Sequence, residues 1–211
     1  LAGVAERVGI AIQQADAKEE LIALSRTDSL TGLYNRRAFV ESVEQIIEAR
    51  SKSGHRAALI YVDLNNFKSV NDTFGHIQGD AALKAAAQLM ADSAQADDLV
   101  GRIGGDEFAL WLEVEDQAEA EKRAADLAEL SQGLSEYSKD LPAPFGMAIG
   151  IALFEPDSDE EIDELFARAD HAMYAAKRDA EQKFILAPPA DKVAPQMARN
   201  IETERSDGAV R

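Results

Sequence analysis

Two adjacent glycines, Gly104 and Gly105, sit between two short apolar runs, and that punctuation limits the fold of this chain more than any other feature. Leu99, Val100 and Ile103 precede the pair, and Phe108, Leu110, Leu112 and Val114 follow it. Apolar runs of strand-forming residues on both sides of Gly-Gly read as a β-hairpin with a tight turn. Such a turn is free to take positive φ and lets a phosphate approach the main chain closely. Asp106 and Glu107 then put two carboxylates at the turn, where a hard cation would need oxygen ligands. Acidic residues beside Gly-Gly also serve simply to solvate a hairpin tip, so the reading depends on what else in the chain could meet them.

A second element lies some forty residues earlier. Ala57 to Val62 is a continuous apolar run rich in strand formers, and it ends at Asp63. A carboxylate there sits on a rigid element at the rim of a sheet, a good place to hold a metal. Beyond it, Lys68 offers a point charge for phosphate, and Asn71 and Asp80 offer the amide and carboxylate that could read a base edge. Asp80 also reads as the N-cap of a helix from Ala81 to about Met90, a role compatible with the first. Phe67, Val70 and Phe74 read as core.

Four blocks carry a family resemblance: Asp28-Ser29-Leu30-Thr31-Gly32-Leu33-Tyr34-Asn35-Arg36-Arg37; Asp63-Leu64-Asn65-Asn66-Phe67-Lys68 with Asn71-Asp72 and Gly79-Asp80; Arg102-Ile103-Gly104-Gly105-Asp106-Glu107-Phe108; and Ala169-Asp170 with Tyr174-Ala175-Ala176-Lys177. On these, residues 27 to 186 resemble the GGDEF diguanylate cyclases. The resemblance implies an α/β (α+β) fold, with a central, mostly antiparallel sheet of five strands wrapped by helices, like the palm of nucleotidyl cyclases and polymerases. It implies condensation of two GTP molecules: the 3′-hydroxyl of each attacks the α-phosphate of the other, giving cyclic di-GMP and two pyrophosphates. Carried over by position, Asp63, the Leu64 carbonyl and Asp106 would hold Mg²⁺ (or Mn²⁺), with Glu107 a further contact. Asp106 or Glu107 would assist deprotonation of the hydroxyl. Asn71 and Asp80 would bind guanine, and Lys68 and Lys177 the phosphates, helped by the Phe67 main chain and the Gly104 and Gly105 amides. Three such carboxylates would converge and, without metal, repel one another and take up protons.

One site holds one GTP, so the resemblance also implies a homodimer of half-sites. Residues 1–26 read as an alanine-rich signalling or dimerising stalk, with an amphipathic helix folded onto the domain as the alternative. The stretch from Leu1 to Ala15 looks like the last helix of a GAF-type sensor, which implies a sensor domain upstream. Residues 187–211, rich in Pro, Ala and charge, read as a flexible or peripheral tail.

The 211 residues carry a net charge of −17, which argues against a nucleic-acid partner. Residues 113 to 170 hold four basic and seventeen acidic side chains, so most of the excess lies away from the hairpin. Anionic GTP must therefore be neutralised locally, by Mg²⁺ and a few Lys or Arg. The absence of cysteine fits a reducing, cytoplasmic setting, and no run has membrane-spanning length. His55, His76 and His171 stand alone and read as surface or capping residues; Trp111 reads as core.

Elsewhere Asn35 reads as the cap of a helix with Phe39, Val43, Ile46 and Ile47 on its buried stripe. Gln117 to about Tyr137 is helical and loosened near Gly133. Phe145 to Phe154 is β-like, Ser158-x-x-Glu161 reads as a capping box for the last helix, and Phe184 to Leu186 as a closing edge strand.

Three residues depart from the family pattern. Gln95 and Asp98 stand where an inhibitory Arg-x-x-Asp is usual, so product feedback is expected to be weak or absent. Glu181 replaces a second phosphate-binding Arg, with Arg178 nearby on a different helix face. Asn65 replaces a common Asp, a change expected to be tolerated. Two other functions stay in view: a domain that binds GTP or cyclic di-GMP without turnover, and a dimerisation domain with a vestigial site.

Overall fold

The computed structural model describes residues 26–50, 56–139, 141–156, 158–179 and 182–190. The proposed stalk, His55, Glu181 and the tail beyond 190 lie outside these residues. Within them the order is β1 (Tyr34–Asn35), α1 (Arg36–Arg50), β2 (Ala57–Asn65), α2 (Phe67–Phe74), α3 (His76–Ser93), β3 (Leu99–Arg102), β4 (Glu107–Glu113), α4 (Gln117–Leu130), a 3₁₀ helix (Ser131–Ser138), β5 (Gly146–Phe154), α5 (Ile162–Arg178) and β6 (Phe184–Leu186).

The strands form one six-stranded sheet in the order β1-β3-β4-β2-β5-β6. The inner pairings are antiparallel, and the two short edge strands pair in parallel. The sixth strand is β1, two residues long, which the apolar pattern does not announce. Both inner neighbours of β2 are long, so β2 is buried on both faces, as its unbroken apolar run requires.

Alternation along β2 divides the core. Ala58, Ile60, Val62 and Leu64 face one layer with α3, α4 and the 3₁₀ helix. Ala57, Leu59 and Tyr61 face the other, with α1 and α5. Gly150 on β5 lets α5 lie close: a Cβ there would meet the main chain of Ala169 and Met173. Trp111 is buried, packed against Phe154.

Some local expectations change. Asp80 is not an N-cap. α3 begins at His76 after Gly75, whose φ of 83° breaks the chain direction between α2 and α3, so Asp80 lies in the second turn. Neither Gly104 nor Gly105 takes positive φ; among glycines of the described residues only Gly32 and Gly75 do. Phe74 is exposed rather than core, whereas Val70 is buried and Phe67 packs partly buried against Phe145. The capping box of α5 runs from Glu161 to Glu164; Ser158 instead turns back to donate to the Glu155 carbonyl. Asn35 caps α1 as expected, its Oδ1 accepting from the Ala38 N–H at 2.9 Å. The ordered chain also continues past β6: the Ala187 N–H donates to the Ile151 carbonyl at 2.7 Å.

Candidate active site

Asp63 ends the apolar run of β2 directly opposite Glu107, the first residue of β4. The Leu64 N–H donates to the Asp106 carbonyl at 3.1 Å, tying the hairpin tip to the end of β2. Two segments forty residues apart in sequence therefore meet at one rim of the sheet. Inside the turn, the Ile103 and Gly104 N–H groups both donate to the Glu107 carbonyl. The glycine at 104 makes room rather than supplying a special φ: a Cβ there would meet the end of the Glu107 side chain, which would have to turn aside.

The turn is clamped from outside. Arg102 donates to the Gly105 carbonyl through Nη2 at 2.6 Å and Nε at 3.2 Å, and to Asp28 Oδ1 at 3.1 Å. Asp28 Oδ1 also accepts from the Thr31 N–H and hydroxyl. Burial alone would raise the Asp28 carboxyl, but these donors outweigh it and hold it below the ordinary carboxylate range. The first and third sequence blocks are thus one structural unit.

The rim is electrostatically loaded. Burial raises the Asp63 carboxyl above its ordinary value, against the pull of Lys177, and Asp106 and Asp170 raise it further. Burial raises Glu107 likewise, reinforced by Asp63, Asp106 and Asp170. The Tyr61 hydroxyl, on the same strand face as Asp63, hydrogen-bonds Glu107. It is pushed up to about 12 by burial and then by Glu107 and Asp170. Lys177, from the last turn of α5, places Nζ 2.6 Å from Asp63 Oδ1.

An ammonium thus rests on the carboxylate to which the family resemblance assigns a metal. The donor set fits a hard cation: two neighbouring desolvated carboxylates, Asp63 and Glu107, with Asp106 and the Leu64 carbonyl at the same rim. Among the described residues no three acidic or histidine side chains are gathered into a metal-holding group. Asp63 and Glu107 face each other across the strand pair, Asp106 joins them through its main chain, and Lys177 occupies one oxygen of Asp63.

A second cluster lies between α2 and α3. Asn71 packs its amide against Gly79, where a Cβ would fall on Asn71 Oδ1. Asp80, an exposed carboxylate, follows Gly79 in the chain. Lys68 is exposed in the first turn of α2. Arg178 stacks over the Tyr174 ring, 6.0 Å from its centroid, on an exposed face of α5. Asp98 is a buried partner of Arg123 at 2.6 Å and accepts from the Gln95 N–H. Sequence reasoning gave no role to Tyr61 or Asp170. Tyr61 is concealed in an apolar run, and Asp170 sits in a matched block without an evident partner.

The family model described as diguanylate cyclase, GGDEF domain, matches residues 25–183. Among curated relatives, the chain is 36% identical over 168 residues to the bifunctional diguanylate cyclase/cyclic di-GMP phosphodiesterase MucR of Pseudomonas aeruginosa, covering 80% of this chain and 24% of that protein. It is 33% identical over 186 residues to the diguanylate cyclase DgcP of Escherichia coli, covering 84% of this chain and 52% of the relative. The chain thus spans about half or less of the length of these relatives. Among solved structures, the isolated GGDEF domain of TpbB (YfiN) from Pseudomonas aeruginosa superposes with a TM-score of 0.69 at 33% identity, over 81% of this chain and 99% of that one.

Proposed function

Because the chain belongs to the diguanylate cyclase GGDEF-domain family, we propose that it is a metal-dependent diguanylate cyclase domain. It condenses two GTP molecules to cyclic di-GMP and two pyrophosphates, across a homodimer of half-sites, as the output of a longer signalling protein with an upstream sensor. The observation that carries this reading is the meeting of Asp63 with Glu107 at the rim, locked by the Leu64–Asp106 main-chain hydrogen bond.

Asp63, Asp106, Glu107 and the Leu64 carbonyl would hold Mg²⁺ or Mn²⁺, which when bound supplies charge neutralisation at the phosphates. The remaining work belongs to the chain's own groups. The Asp80 carboxylate accepts and the Asn71 amide donates at the guanine edge; a carboxylate finds two donors on guanine and no such pair on adenine. With Asp63 among the groups that would hold the cation, Lys177, now on that carboxylate, would turn to the phosphates, and Lys68 would approach them from α2. Of the two turn glycines, Gly105 faces open space and would let a phosphate approach closely, while the Glu107 carboxylate lies beside Gly104. Glu107, raised by burial and its acidic neighbours, is poised to accept the proton of the attacking hydroxyl, with Asp106 beside it. Positioning and charge stabilisation, without a covalent nucleophile, suffice for phosphoryl transfer of this kind.

The test is to incubate the concentrated chain with GTP and Mg²⁺ and look for cyclic di-GMP by mass spectrometry. Product is expected, and is expected to vanish in Asp106→Ala. GTP binding without product at concentrations that give dimers would overturn the catalytic reading in favour of a nucleotide-binding module.

A further inference from the structure

The direction of the Glu107 side chain decides whether its carboxylate meets a cation beside Asp63. A glutamate at the start of a strand gives up rotamer freedom to hold any one direction. In this fold that freedom is restricted from two sides. On the turn side, the absent Cβ of Gly104 leaves the space in which Glu107 Oε2 lies. On the sheet side stands Tyr61.

Tyr61 faces Ala109 in the register of β2 with β4, and Asp63 faces Glu107 two residues further along. All four side chains therefore lie on one face of the sheet, with Glu107 the diagonal neighbour of Tyr61, within reach of a long aromatic side chain. The residue directly opposite the ring is only an alanine, so the phenol is free to lean along that diagonal. Its hydroxyl hydrogen-bonds Glu107. A phenol keeps its proton at neutral pH, so the hydroxyl donates and the carboxylate accepts.

The ring that carries this donor is itself fixed. Tyr61 is buried on an inner strand of the sheet, and Phe166 of α5 meets it edge-on, the centroids 6.2 Å apart. Phe39 of α1 meets Phe166 edge-on in turn. Every other residue of β2 from Ala57 to Val62 is purely apolar. A phenylalanine would fill the same place among these rings, so the hydroxyl is the one part of Tyr61 that packing does not require.

Building on the cyclase reading, we propose that Tyr61 is a positioning residue of this site: its hydroxyl holds the Glu107 carboxylate over Gly104, in line with Asp63 for a shared cation. Tyr61 touches neither substrate nor cation and acts through Glu107. Carboxylates that ligate metals are themselves held by outer hydrogen bonds, and losing such a partner costs about 10–100-fold in metal affinity.

Mn²⁺ binding to the full chain, followed by electron paramagnetic resonance, tests this with Tyr61→Phe, Glu107→Gln and the double variant. Tyr61→Phe is expected to weaken Mn²⁺ binding about tenfold, while the thermal midpoint moves by less than about 4 °C. With Glu107→Gln in place, adding Tyr61→Phe is expected to cost nothing more, because no carboxylate is left to hold. Unchanged Mn²⁺ affinity in Tyr61→Phe, with the parent chain binding the ion, overturns the assignment and leaves the cyclase reading standing. A second loss of the same size in the double variant also overturns it, since Tyr61 would then act elsewhere than on Glu107. So does a loss of affinity accompanied by a larger fall in the midpoint, because the hydroxyl would then be supporting the fold. No Mn²⁺ binding by the parent chain overturns both.

Discussion

α5 carries two basic residues that reach carboxylates, and the two pairs are built in opposite ways. Arg168, in the middle of the helix, grips Glu160 with Nε at 2.5 Å and Nη2 at 2.7 Å, and also donates to the Leu153 and Pro188 carbonyls. Both side chains are almost wholly buried, 5% and 3% exposed. Lys177, in the last turn, makes one contact to Asp63 and stays 40% exposed. Burial still raises the Asp63 carboxyl despite that contact. The first pair has its donors answered and fixes the chain after β6 against the sheet. The second pair leaves a carboxylate under-compensated beside Glu107, with a partner that can leave at little cost. A buried, satisfied pair is architecture; a half-answered one at a sheet rim is where a ligand can gain.

The largest effect that sharpens this contrast is on stability. Arg168→Ala strands Glu160 in the interior and is expected to cost about 3–5 kcal/mol in denaturant unfolding. Lys177→Ala is expected to cost less than about 1 kcal/mol, since its partner can recruit water at the rim. Equal costs for the two would erase the distinction.

Next comes turnover. Asp63→Asn removes a charge from a repelling cluster, so stability should change by less than about 1 kcal/mol, while cyclic di-GMP formation should fall at least about 100-fold. Loss of both together would make Asp63 a structural residue like Arg168.

A smaller effect concerns the base cluster. Gly79→Ala would push Asn71 off its seat against Gly79, weakening GTP binding about tenfold. The same change raises helix propensity by up to about 1 kcal/mol. Affinity and stability moving in opposite directions is the expected signature; unchanged affinity would remove Asn71 from guanine recognition.

The parts of the molecule legible in the sequence are those fixed by local pattern. β2, the hairpin, β5, the buried face of α5 and the short β6 all follow from apolar period and turn residues. The same signals put Asp63 at the end of its strand. What pattern could not give is set by tertiary packing. Gly104 and Gly79 look like turn and helix-start glycines, yet each is small because a specific side chain, Glu107 or Asn71, needs its space. Asp80 reads as a cap because Gly75, the real break, acts through its φ. Phe74 sits at that break and is left exposed. Arg168–Glu160 and Lys177–Asp63 join residues 8 and 114 positions apart, and neither spacing carries a signal.

The central claim is that the under-compensated rim at Asp63 and Glu107 is a cation site that serves GTP chemistry. Both carboxyls are raised in the folded chain. They therefore favour folding below their ordinary range, and that contribution is lost as pH rises through the raised values. A bound cation offsets the loss. The most direct measurement is the thermal midpoint with and without Mg²⁺, at about pH 7.5 and about pH 4, for the parent chain and Asp63→Asn. The account predicts a Mg²⁺-dependent rise in the parent chain at the higher pH, smaller at the lower pH and absent in Asp63→Asn. No rise in the parent chain, or the same rise in the variant, would contradict it.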